Sequence, residues 1–76
     1  MTYAFNYNKL RGRIKENGLT QEDLAKFINV NPATLSLKLN NASEFTQSEI
    51  RNICDLLGIS GQEVSDYFFT RMVQKT

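Results

Sequence analysis

The 76-residue chain contains no histidine, one cysteine and one proline. Without histidine it lacks the commonest general acid–base side chain, and a single cysteine cannot build a metal-ligand cluster. No serine or cysteine has a plausible base beside it, and no glycine-rich phosphate loop occurs. Cys54 allows no internal disulfide, which fits a reducing compartment. We therefore expect a protein that is not an enzyme and that uses no metal and no cofactor.

Long hydrophobic runs are also absent from the chain. No apolar stretch approaches the roughly 20 residues of a membrane span, and no signal peptide is visible. The hydrophobic fraction of 41% and the charged fraction of 22% are ordinary for a folded protein. These features predict one cytoplasmic domain over residues 1–76, with no membrane contact.

The net charge of +1 does not by itself indicate a nucleic-acid partner. The distribution says more, because residues 1–40 carry six basic and three acidic side chains, whereas residues 41–76 carry three basic and five acidic ones. A basic excess in the first half is compatible with phosphate contacts. Charge alone, however, favours a solvated helix face.

Capping signals and apolar spacings divide the chain into helices. Thr20 and Thr46 each stand before an apolar stripe with an acidic residue three positions later, and Ser60 with Glu63 repeats the device. Gly18 and Gly58 are natural residues for helix ends. The pattern predicts an all-α fold of five helices near 7–17, 21–28, 32–39, 47–57 and 61–69.

The stretch "VNPATLSLKLNN" (30–41) is ambiguous, because Leu35, Leu37 and Leu39 alternate with polar residues as in a half-buried strand. Asn31 followed by Pro32, however, is a helix-start signal. In a helix, Leu35 and Leu39 lie about 40° apart, and Leu37 lies about 160° from both. The only other strand-like runs, "TYAFNY" and "YFFTRMV", lie at the two ends. We therefore predict a helix that buries two leucines and exposes the third.

The exposed face of that helix is small, polar and mostly uncharged, with one apolar tip at Leu37. Hydroxyl groups can donate to or accept from base edges in the DNA major groove, and an apolar tip can meet a thymine methyl group. The alternatives are an ordinary surface leucine and a protein interface. Lys38 has the further alternative of lying over the buried leucines with its aliphatic stem.

A helix at 21–28, a short turn and a helix at 32–39 have the spacing of a helix-turn-helix. The segment "TQEDLAKFINVNPATLSLKLN" resembles the helix-turn-helix of Cro and cI-type phage repressors. The flanking "YNKLRGRIKENG" and "FTQSEIRNICDLLGIS" resemble the neighbouring helices of small Cro-like regulators from phages and prophages of Gram-positive bacteria. The resemblance covers about residues 7–69, leaves 1–6 and 70–76 as terminal arms, and implies a compact lambda-repressor-like DNA-binding domain.

The resemblance implies a role for each of several residues. The helix 32–39 would be the recognition helix, and Asn29 and Asn41 stand where the family often has glycine. The implied base-facing residues are Asn31, Ala33, Thr34, Ser36 and Leu37. The implied phosphate-facing residues are Gln21, Lys38 and Asn40. Arg11 and Arg13 are further candidates for phosphate contact, and the alternative for them is a solvated helix face.

Two functions are compatible with these residues, and the motif spacing, the small polar outward face and the basic first half favour the first. The first is a sequence-specific transcriptional regulator that binds a double-stranded DNA operator, usually as a homodimer reading two half-sites. The second is an interaction module, such as a phage antirepressor or modulator, that binds another repressor through the same helix face. Aromatic residues at the two ends (Tyr3, Phe5, Tyr7, Tyr67, Phe68 and Phe69) are expected to pack on the core; the alternative is a dimer surface.

Overall fold

Five α-helices make up the part of the chain that the structure describes. The computed structural model describes residues 4–72, and within them the only β-type pairing is one isolated bridge. None of the helices in this range is long and apolar enough to cross a membrane. The all-α, five-helix prediction is confirmed. The helices are α1 (Asn8–Glu16), α2 (Gln21–Phe27), α3 (Pro32–Leu39), α4 (Gln47–Leu57) and α5 (Val64–Phe68).

Reciprocal capping boxes start α2 and α4, as the sequence predicts. The Thr20 hydroxyl accepts a hydrogen bond from the Asp23 backbone N–H at 3.1 Å, and the Asp23 carboxylate accepts one from the Thr20 N–H at 2.9 Å. Thr46 and Glu49 make the same pair of bonds at 3.1 and 2.8 Å. Each box satisfies two of the backbone donors that a helix start leaves unpaired.

Each of the first four helices is followed within two residues by a residue in the left-handed conformation. These residues are Gly18, Asn29, Asn41 and Gly58, with φ between 60° and 72°. After each of them the next backbone N–H bonds back to a carbonyl five residues earlier, as from Val30 to Ala25 at 2.9 Å. Glycine adopts this conformation without cost, and asparagine is among the few other residues that tolerate it. The two asparagines therefore turn the chain at positions where glycine would otherwise be expected.

The start of α5 differs from its prediction. Residues 61–63 form turns, and the helix begins only at Val64. The Ser60 hydroxyl does not cap a backbone N–H; it donates to the Glu63 carboxylate at 3.0 Å, while the Glu63 N–H bonds to the Ser60 carbonyl at 2.9 Å. This tighter turn takes the place of the predicted first helical turn.

One hydrophobic core joins all five helices. The apolar stripes that follow Thr20 and Thr46 lie in this core, as Leu24, Ala25 and Ile28 do for the first and Ile53, Cys54 and Leu57 for the second; Ile50 is only partly buried at its edge. The buried residues are Tyr7, Leu10, Ile14, Leu24, Ala25, Ile28, Leu35, Leu39, Ile53, Cys54, Leu57, Ile59, Tyr67 and Phe68.

The two ends of the described chain lie side by side. Phe5 and Arg71 form an antiparallel bridge, flanked by backbone hydrogen bonds of 2.7 and 3.0 Å between segments 4–6 and 70–72. The strand-like runs noted at the ends thus pair with each other, although neither extends into a named strand.

Aromatic rings fill the space beneath this pairing. Phe5 packs edge-on against Phe69 at a centroid distance of 5.9 Å, and Tyr7 contacts Phe45 edge-on at 5.5 Å. Phe45 also contacts Phe68 at 5.5 Å. The predicted packing of terminal aromatics on the core is confirmed for Phe5, Tyr7, Tyr67 and Phe68. Phe69 is 52% exposed, and Tyr3 lies outside the described residues. Phe45, which joins the two groups of rings, was not among the aromatics predicted to pack there.

Candidate interaction surface on the third helix

Helix α3 starts as its first residues predict. The Asn31 side chain accepts a hydrogen bond from the Ala33 N–H at 2.8 Å, and Pro32 occupies the first helical position, where its missing N–H costs nothing. Helix α2 packs against α3, and residues 28–31 join the two. The start of α3 is therefore fixed both by its own cap and by the preceding helix.

The three alternating leucines take different environments. Leu35 is 0% exposed and Leu39 is 3% exposed, whereas Leu37 is 53% exposed. The helical interpretation of this stretch is confirmed, because a strand would have placed all three on one face. Leu37 is one of four large apolar side chains that are half exposed or more among the described residues.

The predicted base-facing residues share the outward side of α3. Asn31, Ala33 and Leu37 are exposed, and Thr34 and Ser36 are half-buried along its margins. Asn40 is exposed at the end of the helix, where its side-chain N–H group donates weakly to the Ser36 hydroxyl at 3.4 Å. The sequence therefore identified a contiguous surface; what it binds is a separate question.

Lys38 does not belong to that surface, and its predicted outward placement is wrong. The side chain is 8% exposed, and its Nζ lies 2.5 Å from Glu49 Oε1 and donates to the Glu44 carbonyl at 3.1 Å. On a helical wheel Lys38 lies only about 60° from Leu35, so its stem follows the buried stripe. This helical position could have indicated that Lys38 is buried. The carboxylate that pairs with it, however, comes from Glu49 on α4, eleven residues further along the chain.

Glu49 both caps the start of α4 and pairs with Lys38 of α3. Burial opposes its ionisation, but the hydrogen bond from Lys38, the Thr46 backbone N–H and the charge of Lys38 together hold the pKa of Glu49 below its usual range. The carboxylate thus caps α4 and neutralises the one cation of α3.

Arg11 and Arg13, both predicted to face phosphate, bond instead to helix ends within the molecule. Arg11 Nη2 donates to the Leu39 carbonyl and to Asn40 Oδ1, each at 3.2 Å. Arg13 Nε donates to the Leu57 carbonyl at 3.0 Å, at the end of α4. The two arginines lie about 160° apart around α1, and only Arg11 bonds to the end of α3. Both arginines thus use some of their N–H donors within the molecule, and a phosphate contact of either one stays a prediction.

Gln21, the remaining predicted phosphate contact, lies at the first position of α2. It is half-buried and lines a shallow pocket of about 210 Å³ together with Arg11 and Lys15. This pocket collects two cations and one amide next to the start of a helix.

Asn41 has a role that was not predicted from the sequence. Its Oδ1 accepts from the Phe5 N–H at 2.8 Å, and its Nδ2 donates to the Phe5 carbonyl at 2.9 Å. The side-chain amide imitates a neighbouring strand, and segment 4–6 therefore lies between Asn41 and segment 70–72. The end of α3 is in this way tied to both ends of the described chain.

These features define a small five-helix protein whose third helix presents an uncharged, partly apolar outward face. The chain belongs to the family described as "Protein of unknown function (DUF739)", whose model matches residues 2–71. No curated protein matches the chain.

Among solved structures, the chain is similar to the modulator of repression (MOR) of the temperate bacteriophage TP901-1 from Lactococcus lactis. The two are 32% identical, the match covers 86% of this chain and 88% of that one, and the TM-score is 0.73. That protein is a small phage regulator, in agreement with the broader part of the resemblance expected from sequence. The Cro or cI type stays a prediction.

Proposed function

We propose that this protein is a phage-type regulator that acts in the bacterial cytoplasm by binding a repressor protein through the outward face of α3. The observation that carries the proposal is the burial of Lys38. It is the only charged residue of α3, and its ion pair with Glu49 leaves that face with an exposed leucine and no cation.

Charge separates the two candidate partners. DNA affinity rests largely on cations placed against phosphates, and a recognition helix without a free cation loses part of that term. The centre of a protein–protein interface is instead depleted of charge. Leu37 at 53% exposure, flanked by Ala33 and Ser36, has the character of such a centre.

The structural neighbour supports the same partner. That protein is a modulator of repression, and it shares the fold and 32% of its sequence with this chain over most of both lengths. The description of the family gives no function that would contradict this partner. A modulator of repression acts on repression, and by analogy a repressor is the molecule on which this chain would act.

The test is a binding measurement between the purified protein and the repressor of the phage or prophage that encodes it. Leu37→Glu should weaken binding at least about 30-fold, because it buries an unpaired carboxylate in an apolar contact. Met72→Glu is the matched control, since Met72 is 50% exposed but lies outside α3. Equal affinities of wild type and Leu37→Glu would refute the proposed surface.

A DNA operator is the second candidate partner. It is favoured by the pocket that Gln21 lines together with Arg11 and Lys15, since an amide and two cations together suit a phosphate. In this hypothesis Thr34 and Ser36 approach base edges.

A gel-shift series at increasing salt separates the two functions. A DNA-binding protein should shift operator DNA at low salt, with an affinity that falls steeply as salt rises, and Lys15→Ala should reduce that slope by about one. A repressor-binding module should shift no DNA alone and should retain its protein partner when Lys15 is replaced.

A further inference from the structure

A second apolar surface lies on α4, away from the exposed face of α3. A groove of about 420 Å³ runs between α4 and the segment that leads into and follows α5. Ile50 and Cys54 form its α4 wall, and Val64 and Phe69 lie across from them. Phe69 is 52% exposed, and nothing within residues 4–72 covers the groove.

Two charges of opposite sign border this groove on the same helix. Arg51 and Asp55 are both exposed, and neither makes an ion pair within the described residues. They stand one helical turn apart, and together with Gln47, Ile50 and Cys54 they occupy an arc of about 140° on α4. The surface is therefore an apolar strip with a cation toward the N-terminal end of α4 and an anion toward its C-terminal end.

We propose that this face of α4 binds the same face of a second copy, with the two α4 helices antiparallel about a twofold axis. In such an isologous contact residue i meets residue j and residue j meets residue i. Arg51 of each copy then lies opposite Asp55 of the other, so the surface is complementary to itself. A parallel arrangement would instead place like charges together.

The apolar residues fit the same arrangement. With Arg51 level with Asp55 of the second copy, the axis crosses α4 at the height of position 53, and the partly buried Ile50 lies on the face that meets the second copy. Phe69, half exposed at the rim, gains cover from the second copy. The proposed contact uses no residue of α3, and the inference does not depend on what α3 binds.

The experiment is sedimentation velocity on the full chain at about 10 to about 500 µM, the range in which interfaces at the small end of the known sizes associate. The wild type should show a concentration-dependent dimer. Arg51→Asp and Asp55→Arg should each raise the dimer dissociation constant about 10-fold or more, because each turns two attractive pairs into two repulsive ones. Glu22→Arg, an exposed charge reversal on α2, is the control and should leave it unchanged.

The decisive measurement is the mixture of the two single variants. Arg51→Asp mixed with Asp55→Arg restores an opposite-charge pair at both sites, so the mixture should dimerise although neither variant does so alone. The double variant Arg51→Asp/Asp55→Arg should likewise dimerise with itself. Circular dichroism melts verify that each variant is folded. A wild type that stays monomeric throughout, single variants that dimerise normally, or a mixture that stays monomeric would each overturn the proposal.

Discussion

Replacing Lys38 with methionine should destabilise the protein by about 3 kcal/mol. The Lys38 ammonium lies between Glu49 Oε1 at 2.5 Å and the Glu44 carbonyl at 3.1 Å, and the two side chains of the ion pair are 8% and 12% exposed. Removing one partner of a buried pair typically costs about 3–5 kcal/mol, because the other charge is left uncompensated. The low end applies here, because Glu49 still accepts a hydrogen bond from the Thr46 N–H.

Thermal and urea unfolding measure this effect directly. For a domain of this size, 1 kcal/mol corresponds to about 4–8 °C in Tm, so Lys38→Met should lower Tm by about 12 °C or more. Lys15→Met is the control; Lys15 is exposed, and its replacement should change stability by less than about 0.5 kcal/mol. Combining Lys38→Met with Glu49→Gln should recover at least about half of the loss, because no buried charge remains and glutamine can keep the capping box.

The refuting result is equally specific. If Lys38→Met and Lys15→Met unfold at the same temperature, the ammonium of Lys38 is exposed in solution. The assignment of an uncharged outward face to α3 would then be wrong. The phosphate contact predicted from sequence would then regain its basis, and repressor binding would lose its main support.

The pH dependence of stability follows from the same pair. Because the pKa of Glu49 is lowered by folding, its contribution to stability is complete above the unfolded value of about 4.3 and is lost as pH falls through the lower folded value. Wild type should therefore lose stability in acid more steeply than the variant that combines Lys38→Met with Glu49→Gln. Parallel curves of unfolding free energy against pH between about 2 and about 5 would contradict this assignment.

Three further predictions concern single side chains. Leu35→Ala should cost about 2–5 kcal/mol through a core cavity and Leu37→Ala less than about 0.5, so equal thermal melts would contradict the assigned faces of α3. Asn29→Gly should leave the free energy of unfolding within about 0.5 kcal/mol of wild type or raise it. Asn41→Gly should lower it by about 1–2 kcal/mol, because the two hydrogen bonds to Phe5 are lost. The reverse order would contradict the role of Asn41 in holding the terminal segment. Burial, and after it the neighbouring aspartate, raises the pKa of Cys54, so its alkylation at neutral pH should be slower in folded than in urea-unfolded protein; equal rates would place the thiol at the surface.

Local signals in the sequence determined the helices. The reciprocal bonds of Thr20 with Asp23, and of Thr46 with Glu49, involve residues three apart, so the sequence states them completely. The same holds for Asn31 and Pro32. This helix-start signal correctly predicted a helix with one outward leucine, although the leucines alternate as in a strand. The exception is α5. Ser60 could either cap a helix beginning at the next residue or form a turn with Glu63, and the structure has the turn.

Contacts between distant residues decided the character of the surface. Whether Lys38 points outward or inward depends on a carboxylate from another helix, and whether Arg11 is available to a partner depends on the open end of α3. Both side chains are long enough to reach either environment, so helical position alone does not choose between them. The sequence therefore located the face of α3, and only the tertiary structure, by burying its one cation, determined that this face is uncharged.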